Sequence, residues 1–130
     1  MNVSGFNHIT IRVSRLETSL AFYRDILKMN LVHQGRTDVY LEWGTAWICL
    51  IETDERKKGS KRGPGVDHIA FSIQEKDFDQ AVEQLLRYEI PILRGPVERG
   101  GGRVVNFLDP DQIQLELNTG NLYTRMKHWR

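Results

Sequence analysis

Apolar and polar residues alternate from Phe6 to Val13, with Asn7, Ile9, Ile11 and Val13 on one face and Phe6, His8, Thr10 and Arg12 on the other. A period of two predicts a strand with one apolar side and one mostly polar side. The period then changes. Leu16, Leu20, Tyr23 and Leu27 recur at helical spacing behind Ser14 and Glu17, a capping-box pair, and predict a helix running to about Leu27. Leu31 to Arg36, Val39 to Trp43 and Ala46 to Glu52 read as strands, the last two joined by a turn at Gly44-Thr45. The order is β-α-β-β-β.

The same order then starts again. Val66 to Ile73 alternates, with His68, Ala70 and Ser72 opposite Asp67, Ile69, Phe71 and Ile73. Asp77 is placed to cap a helix that carries Phe78, Ala81, Val82, Leu85 and Leu86, and Pro91 follows its end. Ile92 to Arg94 predicts a short strand, Gly95 to Gly102 a glycine-rich loop, and Arg103 to Leu108 and Gln112 to Asn118 two strands around the turn Asp109-Pro110-Asp111. In the last strand Gln114, Glu116 and Asn118 share a face. Asn121 to His128 predicts a terminal helix with Leu122, Arg125 and Met126 on one side. Between the repeats, Thr53 to Gly65 is charged and rich in Gly and Lys, and reads as a linker. The fold class expected is α+β: paired βαβββ half-domains, about 1–55 and 65–120, forming a curled mixed sheet around a central cavity within one domain, 1–130, that ends in the short helix.

Composition adds little to this picture and removes several alternatives. A net charge of +1 gives no sign of a nucleic-acid or membrane surface. The longest apolar run, Ala46 to Ile51, is far too short to span a bilayer, and the chain enters a strand pattern at once, so no signal peptide is expected. One cysteine, Cys49, excludes an intrachain disulfide framework and a cysteine-only zinc site, and a reducing cytoplasm is the expected compartment.

The repeat gives the candidate chemistry. His8 and His68 stand 60 residues apart, each three residues after a glycine and each on the polar face of the first strand of its half. Related by a pseudo-twofold axis, they would point into one cavity, and Glu116 on the last strand can add a carboxylate. Two imidazoles and one carboxylate leave coordination positions open on Mn²⁺, Fe²⁺, Ni²⁺ or Zn²⁺. The pattern alone leaves a second reading open, that of hydrogen-bonded strand residues with no ligand.

The chain resembles the vicinal-oxygen-chelate superfamily, which includes glyoxalase I, extradiol dioxygenases and fosfomycin-resistance enzymes. The resemblance rests on Phe6-Asn7-His8-Ile9-Thr10, the run Ser19 to Leu27, Asp67-His68-Ile69-Ala70-Phe71, and Phe107-Leu108-Asp109-Pro110-Asp111 leading to Glu116. Within it, Tyr40 to Gly44 followed by Ala46 to Leu50, and the tail from Gly120 to Arg125, are most similar to the fosfomycin-resistance thiol transferases. Cys49 stands where a four-ligand glyoxalase I carries a glutamate, which favours the three-ligand type. The resemblance implies a homodimer with a small-molecule substrate, a metal held by His8, His68 and Glu116, and Thr10 beside the reacting carbon. It also implies Tyr40 and Trp47 as pocket walls and Arg125 against an anionic group such as a phosphonate. The implied chemistry is opening of a small anionic epoxide by a low-molecular-weight thiol, with the metal as Lewis acid.

This sequence also departs from that pattern. The glutathione-type enzymes carry a Ser-rich potassium loop with a phosphonate-binding Lys, followed by a Tyr; here the loop is Gly95 to Gly102 and the Tyr position is Asn106. Arg94, Arg99 or Arg103 could supply the missing charge, or be solvated loop residues. Two other functions fit the same residues: an extradiol dioxygenase or isomerase with the same three ligands, and a dimeric cleft that binds a drug without catalysis. Cys49 reads as a buried small residue, and Trp47, Tyr23 and Thr10 have ordinary structural roles open to them.

Overall fold

In a computed structural model, residues 1–2, 5–53 and 66–128 are described, so the linker at 53–65, apart from Thr53, lies outside them together with Gly65 and the basic run at 56–58. The chain forms two compact units, Met1–Ser60 and Lys61–Arg130. Each has its own four-stranded mixed sheet, in agreement with the paired βαβββ half-domains expected from the sequence.

In the first unit the strands are β1 (Ile9–Val13), β2 (Asn30–Gln34), β3 (Asp38–Trp43) and β4 (Ala46–Glu52), in the order β1-β4-β3-β2. β1 lies parallel to β4 and the other pairs are antiparallel. One sheet face presents Ile11, Val13, Val39, Leu41, Ile48 and Leu50, all buried. The helix α1 (Leu16–Leu20) packs on β4 and continues as a π-helix over Ala21–Ile26. The wider turn is visible in the Leu27 amide, which donates to Phe22 O at 2.9 Å. All four residues of the expected helical stripe, Leu16, Leu20, Tyr23 and Leu27, are buried. The N-cap falls one residue after Ser14, and the first helical amide is met by a tertiary bond. Arg15 occupies the N-cap without a side-chain bond, and the Leu16 amide donates instead to Glu52 Oε2 at 2.9 Å.

The second unit repeats the topology: β5 (Ile69–Ser72), α2 (Glu75–Arg87), β6 (Ile92–Arg99), β7 (Gly102–Leu108) and β8 (Gln114–Asn118), in the order β5-β8-β7-β6. Phe78, Val82 and Leu85 of α2 are buried, and α2 packs on β7. Leu86 is exposed, because the buried stripe is narrower than the sequence pattern suggested. The helix starts before Asp77, with Gln74 as N-cap, and Asp77 lies in its first turn.

The predicted loop Gly95 to Gly102 is mostly strand. β6 runs through it with shifts of register between Ile92 and Arg94 and between Arg94 and Val97, and the hairpin turns only at Gly100-Gly101. Both turn glycines have positive φ (59° and 85°), the conformation that suits a tight hairpin. Gly95, also at positive φ (87°), sits where a methyl group would come 2.4 Å from Val104 O, so the shifts in register absorb what the composition suggested was a loop. The last strand begins at Gln114, later than expected, because Asp109 organises the preceding turn. Its buried Oδ1 accepts from the Asp111 and Ile113 amides, both at 2.8 Å.

A helix α3 (Leu122–His128) closes the described chain. Asn121 and Thr124 form a reciprocal cap: the Thr124 amide donates to Asn121 Oδ1 at 2.9 Å and the Asn121 amide to Thr124 Oγ1 at 3.1 Å. The helix lies against the glycine hairpin. A methyl at Gly100 would come 3.2 Å from Arg125, and one at Gly101 would come 2.8 Å from His128.

Candidate metal centre

The strand registers show how closely the halves correspond. In the first, Thr10 pairs with Cys49, which pairs in turn with Tyr40, and Tyr40 with His33. In the second, Ala70 pairs with Glu116, Glu116 with Asn106, and Asn106 with Arg94. Cys49 is therefore the counterpart of Glu116, and Tyr40 the counterpart of Asn106. These residues lie on the sheet face opposite the helix of each half, because strand side chains alternate.

Within the second half, Glu116 and His68 meet. His68 Nε2 lies 3.5 Å from Glu116 Oε1, and the carboxylate is almost fully buried. Two amides fix its orientation. Asn106 Nδ2 donates to Oε1 and Asn118 Nδ2 to Oε2, both at 3.0 Å. Asn118 is itself held, since its Oδ1 accepts from the Gly120 amide at 2.7 Å. Each carboxylate oxygen thus has one neutral donor and spare lone pairs. A buried carboxylate held by neutral donors beside an imidazole nitrogen fits a cation between them.

The histidines are oriented alike. His8 Nδ1 bonds Asn7 Oδ1 at 2.6 Å, and His68 Nδ1 bonds Asp67 Oδ2 at 2.9 Å. An Nδ1–H tautomer donates in both bonds, leaving the Nε2 lone pair of each ring open to a ligand. These preceding residues were visible in the repeated motif, but neither register nor hydrogen bonding can be read from a single sequence. Among the described residues no group of three or more His, Cys, Asp or Glu stands where it could hold one metal ion; the pair that meets is His68 with Glu116, in the second half.

Around His8 the first half offers rings. Trp47 lies against His8 with centroids 4.3 Å apart, Tyr40 lies edge-on to Trp47 at 5.7 Å, and His33 reaches Tyr40 at 5.1 Å. His33 also lies 3.9 Å from Asp38, so it has partners despite its exposure. Cys49 is buried, and its burial pushes the thiol pKa up against the opposing effect of a Thr10 hydrogen bond. A protonated, covered thiol is a poor nucleophile, which agrees with the packing role expected for it.

Four arginines near the glycine hairpin separate clearly. Arg103 is engaged by Glu75 and Asp79 and lies over the Phe78 ring at 4.4 Å, so it fastens α2 to the sheet. Arg99 pairs with Gly102 at the hairpin end, whereas Arg94 is the register partner of Asn106 and shares the Glu116 face. Arg125 lies over Gly100 at the tip of the same hairpin.

The sequence model of the Glyoxalase/Bleomycin resistance protein/Dioxygenase superfamily matches residues 5–117. A metallothiol transferase FosB of Staphylococcus epidermidis is 38% identical over 131 residues, covering 100% of this chain and 92% of the relative. A glutathione transferase FosA of Serratia marcescens is 31% identical over 124 residues, covering 95% and 86% respectively. The fold is similar to the crystal structure of the fosfomycin resistance protein FosX from Listeria monocytogenes complexed with Mn(II) and sulfate, with a TM-score of 0.80, 28% identity and coverage of 99% and 100%. The length of the match, the level of identity and the repeated half-sheets agree, and the chain belongs to the Glyoxalase/Bleomycin resistance protein/Dioxygenase superfamily.

Proposed function

We propose that this chain is a divalent-metal-dependent enzyme that opens a small anionic epoxide of the fosfomycin kind with a low-molecular-weight thiol. The observation that carries this reading is the Glu116 carboxylate, buried, fixed by two amides and facing His68 Nε2. With neutral amides on both oxygens and, among the described residues, no Lys or Arg ion pair, the carboxylate keeps its charge for a cation on the His68 side. The names of the FosB and FosA relatives favour thiol transfer over the dioxygenase alternative. Their similarity also favours catalysis over simple drug binding.

In this reading His8, His68 and Glu116 hold the ion, and Mn²⁺ is the first candidate because the FosX structure carries it. The bound ion would act as a Lewis acid on a substrate oxygen. The chain's own groups do the rest. Asn7 and Asp67 hold the imidazoles in the ligating tautomer, while Asn106 and Asn118 hold the carboxylate. Tyr40 and Trp47 wall the pocket on the first-half face, and Thr10 donates beside the reacting carbon. Arg125, with Arg94 as a second cation, meets the phosphonate. Sulfur attacks one epoxide carbon, the C–O bond breaks as the C–S bond forms, and the thiol's proton ends on the released oxygen, so no oxidant is needed. The protein acts as a homodimer in the cytoplasm. No helix among the described residues is long and apolar enough to cross a membrane.

Calorimetric titration of metal-stripped protein with Mn²⁺, Ni²⁺, Zn²⁺ and Fe²⁺ tests the site. One site per chain is expected, weakened in His68→Ala and Glu116→Ala by more than the roughly 10–100-fold that loss of an outer-shell partner costs. The loaded enzyme is then given fosfomycin with cysteine or glutathione, and with no thiol, and the products are weighed by mass spectrometry. A thiol adduct supports the reading. Unchanged metal affinity in His68→Ala would overturn it.

A further inference from the structure

His33 and Asp38 are a pair of ionisable groups in the first half that the proposed chemistry leaves unused. Alternation along β3 puts Asp38 on the same face as Tyr40, opposite the buried Val39 and Leu41. The direction is visible at Cys49, whose thiol pKa is pushed up first by burial and also by the Asp38 charge. His33 is the register partner of Tyr40 on β2, and the two ring centroids are 5.1 Å apart. Its Nε2 faces Asp38 Oδ1 at 3.9 Å. That gap is too long for a direct hydrogen bond, and one N–H donor placed between two acceptors spans it. With its proton on Nδ1, His33 turns one lone pair to the gap, and the Asp38 carboxylate turns another. Both side chains are open to a ligand, at 51% and 37% exposed.

Gly35 keeps this place clear. Its φ lies outside the left-handed region, so backbone conformation does not ask for glycine there. Space does. A methyl group would collide with Asp38 Oδ1 and come 3.3 Å from His33 Nε2. The Gly35 amide donates to Asp38 O at 2.8 Å, which fixes the turn beside the pair.

We infer that Asp38 and His33 form a specificity subsite that takes the ammonium group of the thiol co-substrate. The inference rests on the thiol-transfer reading above and narrows the co-substrate to a thiol with a free primary amine. The carboxylate accepts one charge-assisted N–H bond and His33 Nε2 a second. The register runs from His33 to Tyr40, Cys49 and Thr10, so a thiol anchored at Asp38 extends along the Tyr40 ring toward the proposed substrate position. A fosfomycin-type substrate has no ammonium group and leaves the pair to the thiol.

The probes are S-methylcysteine and 3-(methylthio)propionate, which cannot react and differ by the ammonium group. Their affinities are measured by calorimetry on Mn²⁺-loaded wild type, Asp38→Asn, Gly35→Ala and Glu42→Gln, with circular dichroism on each protein. Asp38→Asn removes the charge at constant size. Gly35→Ala keeps Asp38 and displaces its carboxylate. Glu42→Gln removes another carboxylate from the same face of β3. The wild type is expected to favour the aminated probe by about fivefold, the scale of one part-exposed ion pair. Asp38→Asn and Gly35→Ala should each lose that preference, and Glu42→Gln should keep it. A wild type with no preference overturns the inference. So does a preference that survives Asp38→Asn, which would trace the amine to the metal, and so does an equal loss in Glu42→Gln, which would trace it to the general charge of the face. In turnover with fosfomycin, Asp38→Asn should raise KM for cysteine with little change in kcat, and leave KM for 3-mercaptopropionate unchanged. Thiol adducts formed without any amine preference sink only this inference, and absence of any thiol adduct sinks the transfer reading with it.

Discussion

The two halves share a strand order, a helix position and a histidine whose Nδ1 is tied to the residue before it, yet their site faces carry different chemistry. The second half has a carboxylate with an amide on each oxygen. The first half, at the matching register positions, has a thiol bonded to Thr10 and a tyrosine leading to Trp47. A duplicated sheet with Glu at both positions would present two carboxylates and two histidines. This chain keeps one carboxylate, and the other half supplies rings and a hydroxyl. In the proposed reading one half holds a cation and the other lines a pocket, and a three-ligand set goes with Cys49 at the position matching Glu116.

Restoring the symmetry is the strongest way to break that comparison. Cys49→Glu places a carboxylate at a buried position with Thr10 and Tyr40 as strand neighbours. In metal-free protein it has no cation, and the expected loss is about 3 kcal/mol, the scale of an uncompensated buried charge. If the position is a vacated ligand site, Mn²⁺ should recover most of that stability, because binding to the folded state alone adds to it. Urea unfolding with and without Mn²⁺ measures both quantities. A variant as unstable with metal as without it would show that position 49 does not share the ion with Glu116's half.

The histidine supports allow a gentler comparison. Asp67 can carry a charge and Asn7 cannot, so Asp67 sets a carboxylate beside the His68 ring as well as orienting it. Asp67→Ala is expected to weaken Mn²⁺ binding by about tenfold, the low end of the outer-shell range because the Asp67 side chain is exposed. Asn7→Ala should cost less, since only orientation is lost. Asp67→Asn should fall between the two, and calorimetry on the three variants ranks them. An Asn7→Ala effect equal to that of Asp67→Ala would mean that orientation alone matters.

Much of this was legible in the sequence because local patterns were reinforced by the repeat. The alternation after His8 and His68, the stripe Leu16-Leu20-Tyr23-Leu27 and the strand holding Gln114, Glu116 and Asn118 are short-range signals that the structure follows, although β1 and β5 begin one residue after each histidine rather than including it. What escaped depends on register and on contacts between distant residues. Glycines at 95, 100, 101 and 102 suggested a loop, but strand pairing with β7 wins, with shifts in register absorbing the irregular residues. Asn106 drew attention as a substitution in a family pattern, and its bond to Glu116 appears only once β7 and β8 are paired. The spacing of Ser14 and Glu17 signals a helix start, but the bond to the Leu16 amide comes from Glu52, 36 residues further on, and no local pattern shows it.

The helix attachments give the smallest contrast. In the first half, Glu52 reaches from β4 to the free amide at the start of α1. In the second, Arg103 reaches from β7 to Glu75 and Asp79 in the first turns of α2 and lies over Phe78. Both put a strand charge at a helix N-terminus, but by different means: the carboxylate satisfies an orphan N–H and the macrodipole, and the guanidinium bridges side chains that already serve the dipole. Glu52→Gln keeps an acceptor and should cost only a few tenths of a kcal/mol, whereas Glu52→Ala removes the cap and should cost about 1 kcal/mol. Arg103→Met keeps the apolar contact with Phe78 and loses two exposed ion pairs, so it too should cost little. Adding 1 M salt to the unfolding assay distinguishes the two attachments. The Arg103 contribution should fade under screening, and the Glu52 hydrogen bond should largely persist. Equal salt sensitivity in the two variants would mean that Glu52 acts through its charge alone and that the first helix, like the second, is held by electrostatics and packing without a cap.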